Sequence, residues 1–212
     1  MELNIAVLPG DGIGPEVTNE AIKVLDIISK KFNHKVNLSE GLVGAVAIDK
    51  TGNPYPDETH QICEKSDAVL FGAIGDPRYD NDPTAKVRPE QGLLQMRKKL
   101  GLYANLRPTI VFESLIDNSP LKKDRIVDTD LIFVRELTGG IYFGERGRKD
   151  HGNFAYDTCE YNRDEVERIA QLGFEMALKR KGKLCCVDKA NVLETSRPVS
   201  YTHLRAHETV LD

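Results

Sequence analysis

The segment from residue 90 to residue 97 holds the side chains whose types and spacing best suit chemistry on a small organic acid. An acid, an apolar pair and a guanidinium occur there at positions i, i+3, i+4 and i+7, namely Glu90, Leu93, Leu94 and Arg97. This spacing places all four on one face of a helix. An apolar wall beside a cation suits an organic acid with an apolar branch. The structural alternative is that the arginine is solvated and the leucines lie in the core.

Two further arginines and two proton carriers follow along the chain. Arg107 lies near the expected end of this helix, and Arg135 follows a strand-like run. The guanidinium fork matches a carboxylate in two parallel hydrogen bonds. Tyr142 comes after a flexible glycine pair, and Lys189 stands at the end of a strand-like segment, where open α/β sheets place ligands. Taken alone, either residue is more often structural.

Two glycine-containing segments follow strand-like runs and could approach a ligand closely. Residues 10–14 read Gly-Asp-Gly-Ile-Gly, and residues 72–77 read Gly-Ala-Ile-Gly-Asp-Pro. The first is not the dinucleotide fingerprint G-x-G-x-x-G, because its third glycine comes one residue too early. The second is typical of either a functional loop or a plain turn.

Alternating strand and helix patterns predict an α/β protein with a largely parallel sheet. The predicted strands are residues 3–8, 67–71, 130–134 and 184–187. An amphipathic helix is expected after Pro15, with the apolar stripe Val17, Ala21, Val24, Leu25 and Ile28. A second is expected after Asn162, which forms a capping box with Glu165. Residues 78–88 read as a loop, and residues 147–161 as a hairpin or arm.

Composition narrows the class of protein. The net charge of −4 over 212 residues gives no global indication of nucleic acid or an anionic membrane as a partner. No apolar run reaches the roughly 20 residues that span a bilayer, and no signal peptide is visible. The four cysteines lack metal-ligand spacing and are expected to be reduced, mostly buried thiols of a cytoplasmic protein. His203 and His207 have helical metal spacing, but the segment around them fits nothing else in the chain.

Taken together, these segments resemble the β-decarboxylating dehydrogenase family, and within it the isopropylmalate branch. The matching segments, in chain order, are residues 8–17, 72–77, 90–97, 104–108, 134–144 and 187–193. The isocitrate branch carries a polar residue where Leu93 stands. An apolar wall favours an isopropyl group, whose burial is worth roughly 1.5–3 kcal/mol.

The resemblance implies a role for each site residue. Carboxylates of the substrate would be bound by Arg97, Arg107 and Arg135, with the apolar branch facing Leu93 and Leu94. The residues near NAD would be Ile13, Gly75, Asp76, Glu90 and Asn191. Lys189 would take the hydroxyl proton in the neighbouring subunit's site, and Tyr142 would protonate the enol. The implied fold is α/β, two-domain and non-Rossmann, of the isopropylmalate dehydrogenase type but truncated.

The implied reaction is NAD-dependent oxidative decarboxylation of 3-isopropylmalate to 2-oxoisocaproate (4-methyl-2-oxopentanoate) in leucine biosynthesis. It needs Mg²⁺ or Mn²⁺ and a homodimer, with no nucleic acid or membrane partner. The resemblance ends after Arg197, before the family's metal-binding aspartates, so no metal ligand is assigned in this chain. Residues 1–103 and 104–197 are expected to be two incomplete domains, and residues 198–212 an unrelated, frameshifted or chimeric tail. The chain as written is therefore expected to be inactive.

Two other functions stay open. One is a sibling enzyme that acts on isocitrate, homoisocitrate or tartrate. The other is a non-catalytic protein that binds organic acids or pairs with a full-length enzyme.

Overall fold

The computed structural model describes residues 1–82 and 84–187 of the chain. They form two compact units, the first spanning Met1–Gly101 and the second beginning at Leu102. Each unit has its own β-sheet structure. Within the described ranges, no helix is long and apolar enough to cross a membrane.

The first unit is built on a three-stranded parallel sheet. Its strands are β1 (Glu2–Gly10), β2 (Lys35–Glu40) and β3 (Ala68–Ala73). Its helices are α1 (Gly14–Phe32), α2 (Ala45–Thr51), α3 (Asp57–Glu64), α4 (Pro77–Asp80) and α5 (Pro89–Lys99). The strand order is β2-β1-β3. The next strand in the chain, β2, therefore pairs with one side of β1, and β3 pairs with the other side. This reversal makes the carboxyl ends of β1 and β3 a topological switch point, where open α/β sheets bind ligands.

The core of this unit surrounds the central strand. All four residues from Ile5 to Leu8 are buried, as expected for a parallel strand covered on both faces. The buried cluster consists of Ala6, Leu8, Val43, Tyr55, Cys63 and Met96. Helix α5 is anchored to this cluster by Met96, with Leu93 and Leu100 packed against its edge.

Helix α1 forms where the sequence predicts it, but it does not turn its apolar stripe to the sheet. Its buried residues are small: Gly14, Thr18 and Ser29. Val17, Val24 and Ile28 are instead exposed, while Ala21 and Leu25 are half-buried. The physical reason is close packing, since an ideal Cβ on Gly72 of β3 would lie only 2.7 Å from Thr18 Oγ1. Only short side chains fit between this helix and the sheet.

The second unit contains two separate antiparallel strand pairs. Its strands are β4 (Ala104–Ile110), β5 (Asp130–Glu136), β6 (Arg146–Lys149) and β7 (Phe154–Asp157), and its helices are α6 (Lys123–Ile126) and α7 (Arg163–Leu178). Short 3₁₀ segments span Glu113–Asn118, Gly140–Tyr142 and Asp150–Gly152. β4 pairs with β5, and β6 pairs with β7. The second pair confirms the predicted hairpin.

Helix α7 begins with the predicted capping box. The Asn162 side chain accepts a hydrogen bond from the Glu165 amide at 3.0 Å, and the Glu165 carboxylate accepts one from the Asn162 amide at 2.9 Å. The helix packs on β5. Its buried positions are Ala170, Gly173 and Ala177.

Four expectations differ from the structure. The segment around Arg107 is a strand rather than the end of a helix, because it pairs with β5 along seven residues, and Pro108 is tolerated in an edge strand. This second sheet is antiparallel, so only the first unit has the predicted parallel sheet. Residues 184–187 form no strand, since no described strand pairs with them. The loop expected over residues 78–88 contains the end of helix α4, which Asp76 caps.

The expectation that most cysteines are buried is wrong. Only Cys63 is buried, whereas Cys159, Cys185 and Cys186 are exposed. Cys63 is buried because α3 packs it into the core cluster, and this burial raises the pKa of its thiol. His203 and His207 lie outside the described residues.

Candidate functional site

A buried aspartate holds together the loops at the carboxyl edge of the first sheet. Asp11 is only 7% exposed, yet its carboxylate accepts three backbone hydrogen bonds. Oδ2 accepts from the amides of Ala45 at 2.8 Å and Gly75 at 3.1 Å, and Oδ1 accepts from the amide of Val46 at 3.0 Å. Asp11 therefore joins the loop after β1, the start of α2 and the loop after β3. Its charge also complements the positive end of α2.

Two glycines make this arrangement possible. An ideal Cβ on Gly44 would lie 2.2 Å from Asp11 Oδ2, and one on Gly10 would lie 1.9 Å from the Ala73 carbonyl oxygen. Both residues also have positive φ angles, +83° and +71°, which larger residues rarely adopt. These glycines are thus required for backbone packing, and their role does not depend on a ligand.

Three of the residues assigned to the NAD site lie around this same edge. Ile13 sits at the start of α1 and is 57% exposed. An ideal Cβ on Gly75 would lie 3.6 Å from Glu90 Oε1, so the Glu90 carboxylate adjoins the loop after β3. The same position on Gly12 would lie 4.0 Å from the Gly75 carbonyl oxygen. The loops after β1 and β3 and the start of α5 thus converge at the switch point.

Asp76 has a local structural role in addition to its assigned place near the cofactor. Its Oδ1 caps α4 by accepting from the Arg78 amide at 2.9 Å, and its Oδ2 accepts from the Arg78 guanidinium at 2.8 Å. The same guanidinium reaches Asp49 of α2 at 2.9 Å. The guanidinium beside Asp76 holds the pKa of that carboxyl below its ordinary value. Both carboxylate oxygens of Asp76 therefore accept hydrogen bonds that stabilise this loop.

Helix α5 carries the predicted face, and its parts differ in burial. Glu90 is exposed, whereas Leu93, Leu94 and Arg97 are half-buried. Leu93 packs against the core cluster, so the structural alternative weighed for it is partly correct. The exposed remainder of the two leucines is the part that a ligand could contact.

The second unit presents two of the predicted arginines on one exposed face. Asn105 lies opposite Arg135 in the β4–β5 pair, and Arg107 lies opposite Phe133. Because side chains alternate along a strand, all four project from the same face. Arg107 and Arg135 are diagonal neighbours there, a relation that separates residues by about 7–8 Å. The Arg107 Nε donates a hydrogen bond to Asn105 Oδ1 at 2.6 Å.

Tyr142 lies against this face. Arg135 Nη2 donates a hydrogen bond to the Tyr142 hydroxyl at 3.3 Å, and its guanidinium carbon lies 5.6 Å from the ring centroid. Tyr142 is 48% exposed, and its carbonyl oxygen accepts a hydrogen bond from Arg146. Since Arg135 is the donor, the phenolic proton of Tyr142 remains available for another acceptor.

A charged cluster that the sequence gave no reason to single out fixes the turn leading to Tyr142. Glu136 accepts hydrogen bonds from the amides of Thr138 at 2.8 Å and Gly139 at 2.7 Å. It also accepts from Arg168 of α7 at 2.9 Å. The Arg168 guanidinium stacks on Tyr103, with its carbon 4.9 Å from the ring centroid. This cluster ties β5, the glycine turn and α7 together.

Tyr161 closes the other side of the same turn. An ideal Cβ on Gly140 would lie 2.5 Å from the Tyr161 hydroxyl oxygen, and the Gly140 amide donates to the Glu160 carbonyl at 2.7 Å. Burial of the phenol is the main reason that the pKa of Tyr161 is raised. Only a glycine at this position leaves room for the ring.

Two of the predicted site residues lie in the part of the chain that the structure does not describe. Lys189 and Asn191 lie outside the described residues, and so does the tail from residue 198. Among residues 1–82 and 84–187, no group of three or more His, Cys, Asp or Glu side chains is arranged to hold a metal ion. The described part of the chain thus does not by itself fit the divalent metal that the resemblance implies.

Sequence comparison identifies the family. Residues 4–210 match the family model described as isocitrate/isopropylmalate dehydrogenase. The chain belongs to the isocitrate/isopropylmalate dehydrogenase family. This confirms the family resemblance drawn from the motifs.

Two curated relatives illustrate the similarity in sequence. The 3-isopropylmalate dehydrogenase of Bacteroides fragilis is 55% identical over 197 residues, which cover 93% of this chain and 55% of that protein. The one from Aquifex aeolicus is 54% identical over 195 residues, covering 91% and 53%. The chain spans about half the length of these curated relatives.

Solved structures confirm the predicted fold class. The isocitrate dehydrogenase of Methylococcus capsulatus superposes with a TM-score of 0.82 at 27% identity, covering 98% of this chain and 57% of that one. A β-decarboxylating dehydrogenase of Thermococcus kodakarensis gives 0.69 at 31% identity, covering 98% and 55%. The chain therefore has the α/β fold of this family, and it corresponds to only part of that fold.

Proposed function

We propose that this chain is part of an NAD-dependent 3-isopropylmalate dehydrogenase, which oxidatively decarboxylates 3-isopropylmalate to 2-oxoisocaproate in leucine biosynthesis. The observation that carries the proposal is the exposed face on which Arg107 and Arg135 lie together, with the Tyr142 hydroxyl against Arg135. Two guanidinium forks beside one proton donor suit a dicarboxylate that must be protonated after losing carbon dioxide. The similarity to named 3-isopropylmalate dehydrogenases supports the same substrate.

Cationic side chains would bind the substrate, and an apolar wall would distinguish it from other organic acids. Arg97, Arg107 and Arg135 would bind its carboxylates. Leu93 and Leu94 would contact the isopropyl branch with the parts of their side chains that the core leaves exposed. A third carboxylate, as in isocitrate, would be left without a polar partner at Leu93, which is costly in a desolvated site.

The NAD site is proposed at the switch point of the first unit. Ile13, Gly75, Asp76 and Glu90 would contact the cofactor, joined by Asn191. The convergence of the loops after β1 and β3 with the start of α5 supports this position. NAD, when bound, supplies the hydride acceptor.

Two side chains of this chain would carry protons. Lys189 would take the proton of the C2 hydroxyl in the neighbouring subunit's site. After the C3 carboxylate departs as carbon dioxide, Tyr142 would protonate the enol carbon. The hydrogen bond donated by Arg135 would orient the Tyr142 hydroxyl for this transfer.

The 212-residue chain by itself is proposed to be inactive. It spans about half of its relatives, and its described residues offer no group of metal ligands. Mg²⁺ or Mn²⁺ would be bound by side chains outside the described part, in a homodimer of the complete, cytoplasmic protein. Residues 1–103 and 104–197 are proposed as the two partial domains. The tail from residue 198 is proposed to be unrelated to them, although the family match runs to residue 210.

Two experiments test the proposal. The source DNA should be resequenced across the codon for Arg197, and the resulting reading frame expressed and assayed for NADH formation. We expect the completed protein to prefer 3-isopropylmalate to isocitrate, homoisocitrate and tartrate, and the 212-residue chain to form no NADH with either metal ion. A completed protein that prefers another of these acids would refute the substrate assignment.

Binding without catalysis is the second candidate function. It is favoured by the arginine pair, because the β4–β5 pairing that brings both side chains to one face lies within the described residues. Calorimetry of the 212-residue chain with 3-isopropylmalate, without metal or NAD, tests it. Heat of binding that disappears in an Arg107→Met, Arg135→Met double variant would support a binding role, and no heat would reject it.

A further inference from the structure

Glu136 and Arg135 are neighbours on strand β5, and their side chains serve its two opposite faces. Arg135 lies on the exposed face with Arg107 and donates a hydrogen bond to the Tyr142 hydroxyl. Because side chains alternate along a strand, Glu136 projects from the other face. There it meets Arg168 of α7, whose Nη2 donates to Glu136 Oε1 at 2.9 Å. The Glu136 side chain is only 9% exposed, so its charge is largely shielded from solvent.

The connection between Glu136 and Tyr142 contains a glycine pair, which needs outside contacts to keep one conformation. Glycine restricts the backbone less than any other residue, and the pair here is Gly139 and Gly140. Glu136 Oε2 accepts hydrogen bonds from the amides of Thr138 at 2.8 Å and Gly139 at 2.7 Å. The Glu136 carboxylate therefore holds the first half of the glycine turn.

The second half of the turn leads into the short 3₁₀ segment that ends at Tyr142. Gly140 begins this segment with a φ of +72°, and its amide donates to the Glu160 carbonyl oxygen at 2.7 Å. The Gly144 amide donates back to the Gly140 carbonyl oxygen at 3.1 Å. Hydrogen bonds thus continue from the turn to the backbone on both sides of Tyr142.

We propose that Glu136 and Arg168 are positioning residues for Tyr142. Arg168 holds the Glu136 carboxylate, the carboxylate holds the glycine turn, and the turn places the phenol against Arg135 on the substrate face. Glu136 itself projects from the opposite face of β5, and Arg168 belongs to the helix packed there. Their loss should therefore slow protonation of the enol and leave binding of the dicarboxylate nearly unchanged. This inference rests on the proposed function of Tyr142.

The first test is a double-mutant cycle in the completed protein, measured as kcat and KM for 3-isopropylmalate. Glu136→Gln should lower kcat about tenfold or more and change KM little, since a group displaced by about 1 Å loses much of its catalytic effect. Tyr142→Phe removes the proton donor itself. In that background Glu136→Gln should lower kcat no further, because no donor is left to position. If each substitution instead lowers kcat independently of the other, the proposal is wrong.

Asp130→Asn is the matched control for the loss of an ion pair on β5. Asp130 stands at the other end of this strand and pairs with Arg180, just beyond α7. Its substitution should leave kcat unchanged, and a decrease as large as that of Glu136→Gln would contradict the proposal. Arg168→Lys keeps the charge without the planar fork, so its kcat should lie between those of the unchanged protein and Glu136→Gln. Circular dichroism of each variant should match that of the unchanged protein.

The second test does not depend on turnover. The tyrosines of the completed protein are replaced by 3-fluorotyrosine, and the ¹⁹F NMR signal of Tyr142 is identified by its absence from Tyr142→Phe. Glu136→Gln should shift or broaden this signal, and Asp130→Asn should not. An unchanged signal in Glu136→Gln would overturn the inference whatever the activity. A shifted signal in a protein that does not turn over 3-isopropylmalate would support the positioning of Tyr142 and refute only the proposed function.

Discussion

Replacing Asp11 tests whether one carboxylate holds the ligand edge of the first unit together. Asp11→Ala removes the acceptor for three backbone amides, those of Ala45, Val46 and Gly75. The Ala45 hydrogen bond is fully buried, and leaving its donor unpaired costs about 1–3 kcal/mol. The other two are partly exposed, so water can reach them, and we count about 1 kcal/mol for each. The expected loss is therefore about 3–5 kcal/mol, a large share of a typical folding free energy.

Asp11→Asn keeps the shape of the side chain and removes its charge. Its amide oxygen can keep the position of Oδ2, which accepts from Ala45 and Gly75, while its NH₂ group would face the Val46 amide. One hydrogen bond and the favourable interaction with the α2 dipole are then lost, and we expect a decrease of about 1–2 kcal/mol. The order of stability should be Asp, Asn, Ala.

The assay is urea unfolding followed by far-ultraviolet circular dichroism, because the chain contains no tryptophan to report by fluorescence. Low protein concentration limits association through the exposed apolar side chains. Asp67→Ala is the matched control, since Asp67 also accepts a backbone hydrogen bond, from Asn4 at 2.8 Å, but at an exposed site. It should cost less than about 1 kcal/mol. An Asp11→Ala variant no less stable than this control would refute the reasoning.

Three further predictions follow from the site. In the completed protein, Leu93→Ser should lower the ratio of kcat/KM for 3-isopropylmalate to kcat/KM for isocitrate by about tenfold or more. The reason is that an apolar contact to the substrate is lost and a hydroxyl is gained. An unchanged ratio would remove the argument for the apolar wall. The pKa of Asp76 is lowered by Arg78, so its contribution to stability is present above the unfolded pKa and is lost as the pH falls through the lower folded value. A carboxyl NMR titration should show the Asp76 pKa returning toward its ordinary value in Arg78→Met, and no change there would contradict the assigned cause. Glu136→Gln should lower the free energy of unfolding, measured in urea, by about 2 kcal/mol, because the hydrogen bonds to the glycine turn weaken and Arg168 loses its ion pair. A free energy of unfolding equal to that of the unchanged chain would show that this cluster does not hold the turn.

Much of the local structure was predictable from the sequence. The capping box at Asn162, the proline at the start of α1 and the helical register of α5 are each set by residues within a few positions of one another. The lack of helical period over residues 147–161 left a hairpin or an arm as the expectation, and the structure has a hairpin at residues 146–157. The isolated run at residues 184–187 has a strand-like composition and still forms no strand, because a strand also needs a partner.

The sequence by itself determined the family, the first strand and the first helix, and which residue types stand at the candidate site. These follow from motifs and periodicities that operate over short stretches of chain. Only the tertiary structure decided that Asp11 binds amides 34, 35 and 64 residues away, and that Glu136 meets Arg168 across 32 residues. It also decided that Val17, Val24 and Ile28 of the α1 stripe are exposed, because the close approach of helix and sheet admits only small side chains between them. These contacts depend on how segments far apart in the chain pack together, and a local sequence pattern does not specify which distant segments it will contact.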